Sequence, residues 1–262
     1  MKQTVVFDES ITRSYDQWYE TPAGRYMDAR ERSLILELAE PRAGERVLDV
    51  GCGTGSHMLL FKQKGCLVTG LDPSTFMLDL AREKLGSHAD LRMGIAGDLP
   101  FSDNEFDIVT LITSLEFVQD PEKAICEAIR VCRGRVFIGV LNKLSLIGIQ
   151  RRIRGMFRPS IYNKARFFQV GTLTNIIRRQ LQGVHVQWGS VLFLPEGRYG
   201  RVSRLEEIIP VMKNPFGAFI GISFPVTFTY RVVQDVIRDP LAVNANHRQP
   251  APGAVRGMHE RS

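Results

Sequence analysis

At 262 residues and 44% hydrophobic content, the chain is long enough for one α/β domain with an insertion and rich enough for a sizeable core. Its net charge of +6 is local: nine bases and no acid lie between Asn142 and Gln182, which leaves −3 for the rest. Cys52, Cys66, Cys126 and Cys132 show neither C-x-x-C pairing nor metal spacing, which argues against a disulfide scaffold or a metal centre and for reduced thiols in the cytoplasm. The N-terminal MKQTVVFDES lacks the apolar core of a secretory signal. The longest uncharged run, Asn214 to Tyr230, holds two prolines and several β-formers and reads as strand and turn, not as a membrane span.

In chain order, Ser10 to Leu38 reads as two helices joined near Thr21-Pro22-Ala23-Gly24, an N-terminal helical cap over residues 1–40. The main domain, 41–238, alternates: strand 46–50, helix 56–64, strand 67–71, helix 75–85, strands 91–95 and 106–112, helix 121–132, strand 135–140. Residues 141–170 form an insertion. Helix 172–182, strand 184–194, a short helix 203–213 and a last strand 217–230 follow, and the tail 239–262 has too few large apolar residues to order. Alternation of this kind predicts an α/β, doubly wound, mostly parallel seven-stranded sheet with helices on both faces. Ligands then sit outside the carboxyl ends of the strands, where Gly51, Asp72, Asp98 and Thr113 fall.

The run Val47-Leu48-Asp49-Val50-Gly51-Cys52-Gly53-Thr54-Gly55 joins a buried strand to a glycine turn, and an amphipathic segment follows. The spacing is G-x-G-x-G, because Ser56 stands where the dinucleotide fingerprint needs its third glycine. Such a turn suits a ligand without pyrophosphate and with a cationic amino-acid end, which Asp49 can face directly or through water. Asp72 ends the next strand 21 residues after Gly51, placed to accept from ribose hydroxyls. Gly97-Asp98-Leu99-Pro100-Phe101 is a polar turn before the strand that opens at Phe106. Each piece has a plain alternative: a tight turn, an N-cap at Asp72 ahead of Pro73, a turn cap at Asp98. Their order and spacing together point to a cofactor.

These residues resemble class I S-adenosylmethionine-dependent methyltransferases, over about residues 10–140 and more loosely beyond. The resemblance implies a Rossmann-like sheet whose last strand is antiparallel. Gly51, Cys52, Gly53 and Gly55 would line the methionine half of S-adenosyl-L-methionine, and Asp49 would lie near its amino group. Asp72 with Pro73 would take the ribose and Gly97, Asp98 and Leu99 the adenine, with Thr113 at the fourth strand's end. Tyr15, Trp18, Tyr19 and Gly24 resemble the aromatic cap of small-molecule methyltransferases, though Trp18 and Tyr19 equally suit ordinary helix packing. Leu115 to Pro121 also matches, except that Phe117 stands where many members carry histidine, so the resemblance supplies no base there. The implied reaction is methyl transfer to a small-molecule O, N or C acceptor by in-line displacement in the cytoplasm, with no metal.

An amine, thiolate, carbanion or easily ionised phenol needs no base; a less acidic hydroxyl wants one. Glu116 and Tyr15 are the candidates. His57 reads as structural within the glycine-loop helix, His88 as a loop residue, His185 as part of a distant strand. In the basic segment, Leu146, Ile149, Ile153 and Phe157 recur at helical spacing beside Arg151, Arg154 and Arg158. It can be a lid whose bases recruit an anionic acceptor, with Arg151, Arg154, Tyr162 and Arg166 as recognition residues. It can instead contact an anionic membrane through 143–158 to reach a quinone or lipid, bind RNA, or be a solvated face. The absence of an aromatic-interleaved basic motif argues against RNA. A cofactor-binding regulator without transferase activity and an oxidoreductase on the same fold are the remaining alternatives; Ser56 argues against the latter.

Overall fold

The computed structural model describes residues 20–86, 89–149, 165–194, 206 and 208–226, all within the compact unit Met1–Thr227. Helix α1, Pro22–Ala39, starts where Thr21 Oγ1 accepts from the Gly24 amide at 3.0 Å and a proline fills the first turn, and it stops at Glu40 in the left-handed region. The junction expected at Thr21–Gly24 is thus a helix start. Strand β1, Arg46–Val50, leads through the glycine turn into α2, Ser56–Gln63; β2, Leu67–Asp72, α3, Thr75–Leu85, and β3, Asp90–Met93, follow. Then come β4, Phe106–Ile112, a 3₁₀ turn at Leu115–Phe117, α4, Pro121–Val131, and β5, Cys132–Leu141. After the insertion stand α5, Val170–Gln180, β6, Gln187–Val191, and β7, Phe219–Pro225.

The seven strands form one sheet in the order β3-β2-β1-β4-β5-β7-β6. β7 alone runs against its neighbours: it pairs antiparallel with both β5 and β6, with Leu141 opposite Phe219. The inner strands β4, β5 and β7 are largely apolar on both sides, as a helix-covered sheet requires. The pleat sends Leu48, Val50, Val109 and Leu111 to the face covered by α4 and α5, and Val47, Ile108 and Ile112 to the face covered by α1 to α3. Gly189 and Gly221, opposite each other on β6 and β7, leave a flat spot for Leu34 and Leu38 of α1. A Cβ on Gly221 would stand 3.0 Å from Leu38. Residues 22–39 are therefore one wall of the sheet.

Boundaries differ from expectation where long-range contacts intervene. β5 starts three residues early because α4 ends directly in extended backbone at Cys132, which pairs with Phe106 across a bulge. β6 is shorter than 184–194 because Leu192 has φ +70, which ends the ladder. The stretch read as helix to 213 is not helical after Ile208; Met212 bridges to Gly189 instead. The insertion leaves and rejoins at one point: Asn142 and Phe168 form a bridge, and Lys143 donates to the Phe168 carbonyl at 2.8 Å. Its residues 150–164, the tail 239–262 and the N-terminal residues 1–19 lie outside the described residues. Among the described residues no helix is long and apolar enough to cross a membrane.

Candidate functional site

The turn after β1 is held by β2. The Gly51 and Cys52 amides both donate to the Leu71 carbonyl, at 2.6 and 3.1 Å, and the Gly53 amide donates to Asp72 Oδ2 at 3.0 Å. Gly51 has φ +75, and a Cβ there would stand 2.4 Å from Ser114 Cβ; only glycine satisfies both the left-handed backbone and the close approach. Gly53, at φ +53, would meet nothing closer than the Met77 sulfur at 3.9 Å, so its bare backbone borders open space. Gly55 is the N-cap of α2 and offers no side-chain cap, which leaves the first amides of that helix for a ligand. Cys52 contributes backbone only, since its side chain is buried against Gly70 and Met58.

Two carboxyls sit below this turn. Asp49 is buried within β1 and accepts from Thr110 Oγ1 at 2.7 Å. Burial pushes it up to about 7; the Thr110 hydrogen bond opposes this and the charge of Asp72 adds to it. Asp72 is also raised by burial, against the amides of Ser74 and Gly53. It does not cap α3. Ser74 does, accepting from the Met77 amide, while Asp72 Oδ1 accepts from the Ser74 amide at 2.9 Å. Pro73 precedes that cap and lies outside the helix. Asp72 therefore ties the glycine turn to the start of α3, and each oxygen keeps a lone pair for a hydroxyl.

The third strand's end differs from the expected adenine contact. Leu99 is buried in the core and its amide is taken by Glu127 at 2.9 Å, because Arg130 draws Glu127 across to that turn. Asp98 is exposed and its amide donates to the Ile95 carbonyl in a tight turn. Gly97 lies toward Lys123 of α4. The residues directly beyond β3 are Gly94, Ile95 and Ala96: the Gly94 amide donates to the Asp72 carbonyl at 3.2 Å, and Ile95 is exposed. The resemblance points to Asp98 and Leu99 for the adenine; the exposed apolar side chain directly beyond β3 is Ile95.

Beyond β4, Thr113 takes φ +48, a costly value for a β-branched residue, and its amide donates to the Gly139 carbonyl. This bend presses Ser114 against Gly51, with its buried Oγ lacking a protein partner. Ser114 is the site residue that spacing missed, although it follows Thr113 at the same strand end. Glu116 is buried, with Oε1 accepting from the Leu141 amide at 2.6 Å and Oε2 lacking a partner. Burial pushes it up to about 8. It is mostly protonated near pH 7 and reaches its base form only as pH rises toward about 8. Its carbonyl accepts from the Arg166 amide at 2.9 Å. Arg166 is exposed beside a cavity of about 320 Å³ shared with Lys143, Asp120 and Glu122. His57 is buried and driven down to about 4, first by burial and then by Arg32 and Lys84, a neutral packing residue. Tyr15, Arg151, Arg154 and Tyr162 lie outside the described residues.

The described groups suit a ligand with a cationic end at Asp49, vicinal hydroxyls at Asp72 and a flat apolar part at Ile95. Comparison with known proteins agrees. A family described as a methyltransferase domain matches residues 48–138. The demethylmenaquinone methyltransferase of Tropheryma whipplei is 35% identical over 114 residues, 42% of this chain and 48% of that enzyme. The phosphatidylethanolamine N-methyltransferase of Cereibacter sphaeroides is 34% identical over 141 residues, 51% of this chain and 68% of that enzyme. The chain thus spans about half to two-thirds of these relatives' length. A Thermotoga maritima S-adenosylmethionine-dependent methyltransferase, described as a possible histamine N-methyltransferase, superposes with a TM-score of 0.68 at 26% identity, over 83% of this chain and 97% of that one. The chain belongs to the class I S-adenosylmethionine-dependent methyltransferases.

Proposed function

We propose that the protein transfers a methyl group from S-adenosylmethionine to a small-molecule acceptor by in-line displacement. The observation that carries this reading is the convergence of Asp49, Gly53, Asp72 and Ser114 at the carboxyl ends of β1, β2 and β4. The residues fit the cofactor: Asp49 for the ammonium, Asp72 for the ribose hydroxyls, the Gly51–Gly55 backbone for the methionine half, Ile95 for the adenine, and the orphaned Ser114 hydroxyl for a polar group against Gly51. When bound, the cofactor supplies an electrophilic methyl on sulfonium. The protein's part is to hold the acceptor in line and keep water out. Phe117 is apolar and supplies no base, and Glu116, pushed up to about 8 by burial, is mostly protonated at pH 7, which favours acceptors that already carry a free lone pair or ionise easily. A cytoplasmic location is supported by the four free cysteines.

Titration calorimetry with S-adenosylmethionine, S-adenosylhomocysteine and NAD tests the reading. Binding of both sulfur compounds and not NAD is expected; failure of both to bind would overturn it. Binding of both without turnover across amine, phenol and quinone acceptors would favour the non-catalytic regulator instead. A second reading concerns the acceptor. The relatives above are named for demethylmenaquinone and phosphatidylethanolamine, and exposed apolar side chains near the carboxyl end of β5 favour a lipid-soluble acceptor of such a kind over a freely soluble anion.

A further inference from the structure

Beyond the carboxyl end of β5 the surface changes character. Asn142 stitches two loops together there: Nδ2 donates to the carbonyls of Pro215 and Gly217 at 2.6 and 2.7 Å, and Oδ1 accepts from the Leu144 amide at 3.0 Å. One loop carries Leu144 and Leu146, 49% and 60% exposed; the other carries Phe216, 63% exposed, and Met212. Of the ten large apolar side chains exposed among the described residues, six lie in segments 142–149 and 208–217. Scattered singly such residues need no explanation, but gathered on two stitched loops they mark a contact surface.

The position is informative. Leu141 pairs with Phe219, so both loops stand at the same end of the sheet as Gly51, Asp72 and Thr113. The charge is informative too. Lys143 and Lys213 are exposed on these loops, and the sequence from Asn142 to Gln182 carries nine bases and no acid. Nucleic acid would use the bases and leave the leucines and phenylalanine in water. A second copy, paired by a two-fold axis, would set the lysines of this surface against one another. An anionic bilayer takes both features, the apolar side chains at the acyl boundary and the bases among the headgroups.

We propose that the surface formed by the loops after β5 and before β7 docks on an anionic lipid bilayer, so that the acceptor enters the site from the membrane. The docking stands on the surface alone; its role in delivering an acceptor rests on the methyl-transfer reading.

Co-sedimentation of the full chain with phosphatidylcholine vesicles, with and without phosphatidylglycerol, tests this. Binding to the anionic vesicles, weakened about tenfold or more at high salt, is expected. Replacing Leu144, Leu146 and Phe216 together by Ser should lower it about tenfold or more at unchanged charge. Lys143→Glu with Lys213→Glu should do the same by a different route, which covers the case in which the first variant fails to fold. No binding at low salt, or full binding by the folded Ser variant, would overturn the proposal. So would a dimer that the Ser variant dissolves, or an RNA oligomer bound equally by wild type and Ser variant, if either came without vesicle binding. S-adenosylmethionine titration of the same preparations separates the two readings. Variants that lose vesicles and keep the cofactor support the docking surface; vesicle binding by a protein with no cofactor affinity would overturn the methyl-transfer reading and leave the surface in place.

Discussion

Around β1 and β2, the glycine turn is held by bonds that span about 20 residues or fewer, while Asp49 reaches Thr110 across 61. Asp72 takes amides 19 residues before and two residues after it, and Ser74 caps its own helix. Around β5 and β7 the bonds span longer stretches: Asn142 reaches Gly217 across 75 residues, Glu116 reaches Leu141 across 25, and Arg135 reaches Glu45 across 90. The first region exposes Phe76, Met93 and Ile95, and the second exposes Leu146 and Phe216 on two loops joined at Asn142. Local bonding shapes the glycine turn, and Thr110 and Ser114 complete the cradle from β4. Long-range stitching gives a rim whose composition is free to suit the acceptor and whatever delivers it.

The sharpest way to break the cradle is Gly51→Ala. It adds left-handed strain of about 1–2 kcal/mol to an overlap with Ser114 at 2.4 Å. Urea unfolding should show a loss of roughly 3 kcal/mol or more, and cofactor binding should vanish. Adding Ser114→Gly should recover the overlap and leave the strain; no recovery would mean that Ser114 does not constrain the turn.

Asp72→Ala should weaken S-adenosylmethionine by roughly tenfold to 100-fold in calorimetry, the worth of hydrogen bonds to a charged group. Unchanged affinity would reduce Asp72 to a strut for Gly53 and Ser74.

Glu116 probes the other region through pH. Its folded value, about 8, lies above its unfolded value of 4.5. The stability it contributes is therefore complete below about pH 4.5 and is lost as pH rises through about 8. Glu116→Gln keeps an acceptor for Leu141 and cannot ionise. At pH 9 the variant should be the more stable protein, by on the order of 2 kcal/mol; parallel stability curves from pH 6 to 9 would contradict this burial effect.

Asp49 gives the corresponding test in the cradle. It must be ionised to face an ammonium, and its folded value is about 7. Cofactor affinity should fall about tenfold per pH unit below 7, and Asp49→Asn should flatten the profile at a lower affinity. The smallest effect is expected at the exposed Asp79–Arg82 pair on α3, where Asp79→Ala should change stability by less than about 0.5 kcal/mol. A larger change would show that the cradle depends on surface charge as well as on its local bonds.

Much of the cradle was legible in the sequence. Glycines, a strand-end acid and a hydroxyl after a strand are local features, and Gly51, Gly53, Asp72 and Thr113 could be placed by counting. The adenine role of Asp98 and Leu99 comes from the resemblance alone, and nothing local to them shows that Glu127, 28 residues on, takes the Leu99 amide. Ser114 was passed over because its meaning depends on meeting Gly51 in space. Glu116 stands as a base candidate in the sequence, and the burial that pushes it up to about 8 is invisible in a local window. Its burial arises from the tertiary contact with Leu141.

By itself the sequence determined the alternation of strands and helices, the glycine turn and the acid at the end of β2, because hydrophobic period and turn chemistry act over a few residues. Only the tertiary structure decided that β7 inserts between β5 and β6, that α1 lies on the glycine pair Gly189–Gly221, and that two distant loops meet at Asn142. The physical reason is one of range. A side chain's local pattern says which face it prefers. Which strand lies next to it, and whether an exposed leucine stands alone or beside a phenylalanine 70 residues away, follows from pairing and packing that no local window contains.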